Sequence, residues 1–283
     1  MYRIGLSTCG KVPNKDTFAA YRDAGIEVAE ISLKGEEYPA FDYRAAARAA
    51  RENGIELWSF HLPFTFELYD ISRPDMAEDS VRKLSEMIKR ASDVGILRMV
   101  IHASGEPVPT DAEGRRERMA CAKESLARLA DVAGASGSVI AVEDLPRTCL
   151  GRNSDEILEL ISAHDALRVC FDTNHLLGED AVTFIRRLKG KIITTHVSDY
   201  DFINERHWLP GEGRQDWNAL LGALAEIGYD GVWLYEIGPE CPWSIRRPRD
   251  LTCEDFVRNA HELFEGKKPT VFSTPIEGIG MWP

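Results

Sequence analysis

LRVCFDTNH, residues 167–175, is the stretch on which the fold turns. Its apolar part is too short for a stable helix and suits a pleated strand. It stops on a carboxylate, Asp172, with an imidazole, His175, three residues later. The same phrase recurs on either side. VIAVEDL (139–145) stops on Glu143, KIITTHVSD (191–199) on His196, and GVWLYEIG (231–238) on Glu236. Such near-continuous apolar runs mark strands covered on both faces, as in parallel sheets flanked by helices.

Four more runs lie upstream: YRIGLST (2–8), VAEISL (28–33), ELWSFHLP (56–63) and LRMVIHAS (97–104). Amphipathic stretches with helical spacing separate the strands, at residues 42–53, 77–94, 117–133, 154–163 and 217–227. Gly25, Gly54, Gly95 and Gly228 each close a helical pattern just before a strand, the usual glycine stop. Eight strand–helix units in one chain predict a single α/β domain, a closed (β/α)8 TIM barrel over residues 1–266. Residues 267–283, rich in Pro and Gly, are expected to pack as a tail on the barrel or at an interface. No GxGxxG follows the first strand and no phosphate-binding P-loop occurs, so nucleotide-binding folds lose their main support.

Composition narrows the function classes. The chain has 283 residues, 44% hydrophobic and 28% charged, in the range of a globular protein with a large core. Its net charge of −12 repels phosphodiester backbones, so no nucleic-acid partner is expected. No long apolar span or leader-like segment is visible, which predicts no membrane partner. The six cysteines lack CxxC or finger spacing and are expected to be reduced thiols of a cytoplasmic protein. Nothing fixes the oligomeric state, and a homo-oligomer stays open.

In this fold the C-terminal ends of the strands face one mouth, where active sites lie. Glu143, Asp172, His196 and Glu236 end four successive strands, so their side chains are expected to converge there. Three oxygen donors and one nitrogen suit one divalent ion, such as Mn²⁺, Mg²⁺, Co²⁺ or Zn²⁺. A buried carboxylate cluster without a cation would pay heavily in desolvation and repulsion. Five of the seven histidines, His61, His102, His175, His196 and His207, map to the same mouth. Those other than His196 equally suit hydrogen bonds to substrate hydroxyls. Arg246 and Arg247, in the long loop after strand eight, are candidate grips for a substrate phosphate or carboxylate. Arg147 and Lys34 are placed to face the mouth. Trp58, Phe64, Phe66 and Trp208 are candidates either for stacking on a sugar or for packing, and Glu212 reads as structural.

The phrases HLPF, VIHASG, VEDLPRTCLGRN, FDTNH, THVSDYD with HWLPGEG, and VWLYEIG span strands three to eight. Together they resemble the xylose isomerase-like barrel superfamily, in its branch of sugar phosphate isomerases and epimerases. That resemblance implies a metal held by Glu143, Asp172, His196 and Glu236. It also implies catalytic roles for Glu143 and Glu236 as base and acid on either side of a substrate carbon. The implied activity is isomerisation or epimerisation of a small keto sugar, polyol or sugar phosphate through an enediolate. His61, His102, His175, His207, Arg246 and Arg247 would then bind this carbohydrate. Dehydration of an inosose or dehydroshikimate-like substrate begins with the same proton abstraction and stays open. The superfamily also holds three-zinc endonucleases, whose ligand pattern matches His61, His102, Glu143, Asp172, His175, His196, Glu205, His207 and Glu236. One position departs, since Glu205 stands where that pattern has aspartate. A non-catalytic sugar-binding barrel is the remaining alternative.

Overall fold

The computed structural model describes residues 1–276 and 278–280. Eight parallel strands form the barrel: β1 (Arg3–Ser7), β2 (Val28–Ile31), β3 (Glu56–His61), β4 (Arg98–Ile101), β5 (Val139–Glu143), β6 (Arg168–Asp172), β7 (Ile192–His196) and β8 (Val232–Tyr235). Neighbours in sequence are neighbours in the sheet, and β1 also pairs with β8. The ring closes between β7 and β8, where Val197 pairs with Tyr235 and its N–H donates to Leu234 O at 2.8 Å.

Helices cover the outside. They are α1 (Lys15–Ala24), α2 (Tyr43–Glu52), α3 (Phe66–Tyr69), α4 (Ala77–Asp93), α5 (Ala112–Ala135), α6 (Ser154–Ile161), α7 (Ala181–Arg187), α8 (Trp217–Ile227) and α9 (Cys253–Phe264). Helix α5 begins five residues before the sequence pattern suggests, at a cap where Asp111 accepts from Gly114 N. The charged run EGRRER hides this first turn from a hydrophobic-periodicity reading. Gly25 and Gly228 end α1 and α8 in the left-handed region (φ 93° and 73°), which glycine enters without a Cβ penalty.

The main core lies between strands and helices, with Phe60, Phe171, Trp233 and Tyr235 among its fully buried side chains. The barrel interior is closed at its N-terminal end by a smaller cluster of Val28, Trp58, Val232 and Leu234. A Cβ at Gly5 would sit 2.6 Å from Val28 Cγ2, so only glycine fits that layer. Trp58 donates through Nε1 to Thr194 Oγ1 (3.1 Å), and the Arg98 guanidinium lies 3.4 Å over its ring. Trp58 is therefore a floor residue, and the sugar-stacking option for it falls away. Trp208 is also buried, bonded to Ser244 Oγ.

The tail crosses the loops of the catalytic face. A short strand, β9 (Ile245–Arg246), pairs antiparallel with β10 (Thr274–Pro275), and Arg206 donates to the carbonyls of Ile279 and Gly280. Residues 277 and 281–283 of the expected tail segment lie outside the described residues. No helix among the described residues is long and apolar enough to cross a membrane.

Candidate metal centre and active site

Glu143 ends β5 with no solvent exposure and is the hub of the mouth. Its Oε2 lies 3.1 Å from His61 Nε2 and 3.3 Å from His102 Nε2. Its Oε1 lies 3.1 Å from His196 Nδ1 and 3.6 Å from His175 Nδ1. Glu236, one residue past β8, reaches within 3.6 Å of the same His196 nitrogen. Two glutamates from strands β5 and β8 thus converge on one imidazole.

Among the described residues, three groups of donor atoms have metal-holding spacing, each within 4.8 Å: His61, Glu143, His196 and Glu236; Glu143, Asp172 and His175; and His175, Glu205 and His207. Of the four expected ligands, Glu143, His196 and Glu236 share one group. Asp172 stands in the adjacent group, joined to the first through Glu143. Its Oδ2 is buried with no hydrogen-bond partner, and Glu30 Oε1 and Asp144 Oδ2 are in the same condition. Buried acceptors without donors are rare because each forfeits its hydration. A divalent cation satisfies such oxygens, so the residues fit the group that the sequence implies.

The electrostatics separate the two glutamates. Burial pushes Glu143 up, but the imidazoles of His196 and His102 outweigh it and hold the carboxyl well below its usual range. Burial pushes Glu236 up to about 7, with Glu143 and Asp172 adding to the rise and His196 opposing it. Burial alone lowers His196, yet the acidic groups around it, Cys170, Glu30, Glu236 and Glu143, carry it well above 6.5. His61 likewise rises to about 9, the bond to Glu143 overcoming burial. Without a cation the cluster therefore balances its carboxylates with protonated imidazoles.

Glu30, mid-strand in β2, belongs to the same buried cluster and was passed over by the strand-end reading. It is fully buried, and its Oε2 lies 3.0 Å from His196 Nε2 and accepts from Ser59 Oγ at 2.8 Å. With Nε2 donating to Glu30, Nδ1 of His196 is left to face Glu143 and Glu236. This is the carboxylate–histidine arrangement that orients metal-ligating imidazoles. A register shift between β2 and β3 at Ala29/Glu30 re-aims the side chain into the mouth. The available signal was the charge inside VAEISL, since a buried strand tolerates a carboxylate only with a partner.

The remaining candidates are placed as follows. His175 contacts Asp172 Oδ2 (3.6 Å) and Glu205 Oε2 (3.3 Å), and Arg147 grips Glu205 Oε1 at 2.9 Å. His207 lies 3.9 Å from Glu236 Oε2. Arg247 is engaged elsewhere: its Nη2 donates to Glu212 Oε2 at 2.6 Å, both side chains fully buried. Arg246 is exposed on β9 and has no contact with the acid–histidine cluster among the described residues. The expected substrate grip by Arg247 is thus corrected to a buried pair that anchors the strand-eight loop. Every non-glycine residue with positive φ among the described residues, Cys9, Arg147, Phe202 and His207, sits in a loop after β1, β5 or β7 at the mouth. Each such backbone costs on the order of 1 kcal/mol or more and persists where surrounding contacts enforce it.

Fold and site together define a (β/α)8 protein with a carboxylate–imidazole centre at the C-terminal mouth. The chain belongs to the xylose isomerase-like TIM barrel family, whose sequence pattern matches residues 18–252. A ketose 3-epimerase of Arthrobacter globiformis is 26% identical over 262 residues, 85% of each chain. A solved D-tagatose 3-epimerase-like protein superposes with a TM-score of 0.78 at 20% identity, covering 94% of this chain and 97% of that one. Two uncharacterized relatives, y4fM of Sinorhizobium fredii and MJ1311 of Methanocaldococcus jannaschii, match over 39% and 40% of their own lengths.

Proposed function

We propose that the protein is a divalent-metal-dependent isomerase or epimerase of a keto sugar or sugar phosphate. The observation that carries this reading is the convergence of Glu143 and Glu236 on His196 Nδ1. Two carboxyl groups of opposite protonation preference in one site are the requirement for removing and returning a proton. The ketose 3-epimerase relatives support the substrate class. Glu143, Asp172, His196 and Glu236 would hold the ion, which supplies Lewis-acid polarisation of the substrate carbonyl when bound.

The chain's own groups carry the proton. Glu143, the more acidic carboxyl, takes the proton from the carbon next to the carbonyl, and the C–H electrons move into an enediolate. Glu236 returns a proton to that carbon from the other side, which inverts it. Return to the neighbouring carbon moves the carbonyl instead, giving isomerisation. His102 holds a substrate hydroxyl, while His61 and His175, expected to do the same, have both ring nitrogens engaged by protein groups and instead wall the site. Positioned groups of this kind contribute roughly two to four orders of magnitude in rate.

The test is solvent deuterium exchange into the carbon beside the carbonyl, read by mass spectrometry with Mn²⁺-loaded protein. A panel of ketoses, their phosphates and inososes should contain one that exchanges and changes configuration. Glu143→Gln and Glu236→Gln should keep the fold and fail to exchange, also at Mn²⁺ concentrations at which elemental analysis shows the ion bound. Net loss of water from the product would turn the reading to the dehydratase. No exchange with any keto compound would overturn it.

A second reading is favoured by the group of His175, Glu205 and His207. It extends the first centre toward a multinuclear one, as in metal-assisted phosphodiester hydrolysis. Near one ion per chain supports the isomerase; near three supports the hydrolase. The Arg147–Glu205 pair and the acidic surface weigh against a nucleic-acid substrate.

A further inference from the structure

A cavity of about 460 Å³ opens at the end of the barrel opposite the candidate centre. Its lining comes from strand starts: Arg98, Val139 and Arg168 are the first residues of β4, β5 and β6, and Gly231 immediately precedes β8. Glu143, Asp172 and His196 instead end their strands, at the other mouth. In the sheet Arg98 stands beside Val139, and Arg168 beside Ala141 two residues further along β5. Residues two apart share one face of a strand, so both arginines leave the sheet on the same side.

The two guanidinium groups are poorly supplied with acceptors. Arg98 is half-buried, its guanidinium 3.4 Å over the Trp58 ring. That contact uses the face of the group and leaves its five N–H donors free, and none has an acceptor among the described residues. Burial pulls Arg98 below its ordinary value, and the more distant charges of Glu56 and Asp230 offset this only in part. Arg168 gives Nη1 to the carbonyls of Asp165 and Leu167 (both 2.8 Å), while Nε and Nη2 have no partner among the described residues. Arg3 also lies over Trp58, at 5.1 Å, but is neutralised by Glu56 at 2.6 Å. Asp230 is exposed and is the one carboxylate in the lining. Two guanidinium groups against one carboxylate leave the cavity positive, in a chain whose net charge is −12.

We infer that this cavity binds a small oxyanion through the N–H edges of Arg98 and Arg168. A cation that has lost hydration to burial without gaining protein acceptors recovers them from such a ligand. Carboxylate and phosphoryl groups share the chemistry, since both present paired oxygens to a guanidinium fork. The volume lies within the roughly 300–1,000 Å³ of small-molecule sites, so a metabolite bearing the group fits as well as the bare ion. The site stands apart from the acid–histidine cluster and does not rest on the keto-sugar reading.

The test is titration of the full metal-loaded chain with sodium sulfate, standing in for a phosphoryl group, and with sodium acetate, against sodium chloride at matched ionic strength. Calorimetry reads affinity, and tryptophan emission reads the Arg98–Trp58 stack. One of the two oxyanions should give a saturable response beyond chloride, and whichever does assigns the ligand class. Arg98→Gln and Arg168→Gln should each weaken it roughly tenfold or more, with circular dichroism and metal content unchanged. Asp230→Asn, at an exposed turn, removes a repelling charge and should tighten it. Trp58→Phe should abolish the emission change while calorimetric binding persists. No saturable response beyond chloride, an affinity indifferent to Arg98→Gln, or weaker binding in Asp230→Asn would overturn the inference.

Discussion

Metal binding should release protons, and their number follows from the electrostatics of the mouth. His196 in the metal-free protein is held well above 6.5, so at pH 7 it carries a proton that ligation must expel. Glu236, at about 7, is half protonated there. Glu143, held well below its usual range, has none to give. Binding of one ion at pH 7 should therefore release protons, with His196 their main source. Apparent affinity should then rise with pH around neutrality, about tenfold per pH unit for each proton released. Titration calorimetry with Mn²⁺ in buffers of different ionisation enthalpy reads the proton count directly. If His61, at about 9, is also displaced from its charged state, the count rises by about one. A binding enthalpy that does not vary with buffer would mean that His196 is no ligand, and would refute the assignment of the centre.

The same groups set the stability of the metal-free chain. Histidines whose folded pKa is raised stabilise fully below about 6.5 and lose that contribution as pH rises through the folded value. The metal-free protein should therefore lose roughly 3 kcal/mol between pH 6.5 and 9 from His61 alone, while denaturant titration of the metal-loaded form shows less slope. Glu30→Gln should weaken metal binding roughly 10–100-fold, because His196 loses its orienting carboxylate; unchanged affinity by competition with a chelator would remove Glu30 from the site. Arg247→Met leaves Glu212 charged and unpaired in a buried position and should cost roughly 3–5 kcal/mol, with metal affinity intact. Restoration of stability by the double variant with Glu212→Gln confirms a structural pair, and a lowered metal affinity would place the strand-eight loop closer to the chemistry.

The barrel was legible because its signals are local and repeated. A buried parallel strand must be apolar throughout, and a helix before it must stop, so eight apolar runs and four glycine stops suffice. Glu143, His196 and Glu236 were legible for the same reason, as strand ends share one mouth. Glu30 was not, because its reach into the mouth depends on a register shift between two strands separated by a helix. Arg247 was misread because its partner, Glu212, lies thirty-five residues away in another loop. Adjacent arginines in a loop look alike in sequence, although the structure buries one side chain and exposes the other. Asp172 shows a third limit: its strand end is right, yet its nearest group is Glu143 and His175.

The two ends of the barrel show how one fold divides stability from chemistry. At the N-terminal end Trp58 fills the interior, its N–H is bonded, and Gly5 admits close packing. The cluster of Val28, Trp58, Val232 and Leu234 closes that end with apolar side chains. At the C-terminal end the chain accepts four positive-φ residues, orphaned buried oxygens on Glu30, Asp144 and Asp172, and carboxylates packed among histidines. Each is a cost with no return in packing. Strain and orphaned carboxylate oxygens gathered at one end, while the other is closed by apolar side chains, are explained by a ligand that completes the site. If metal-loaded protein were no more stable than metal-free protein at neutral pH, the orphaned oxygens would have another cause and the argument from strain to function would fail.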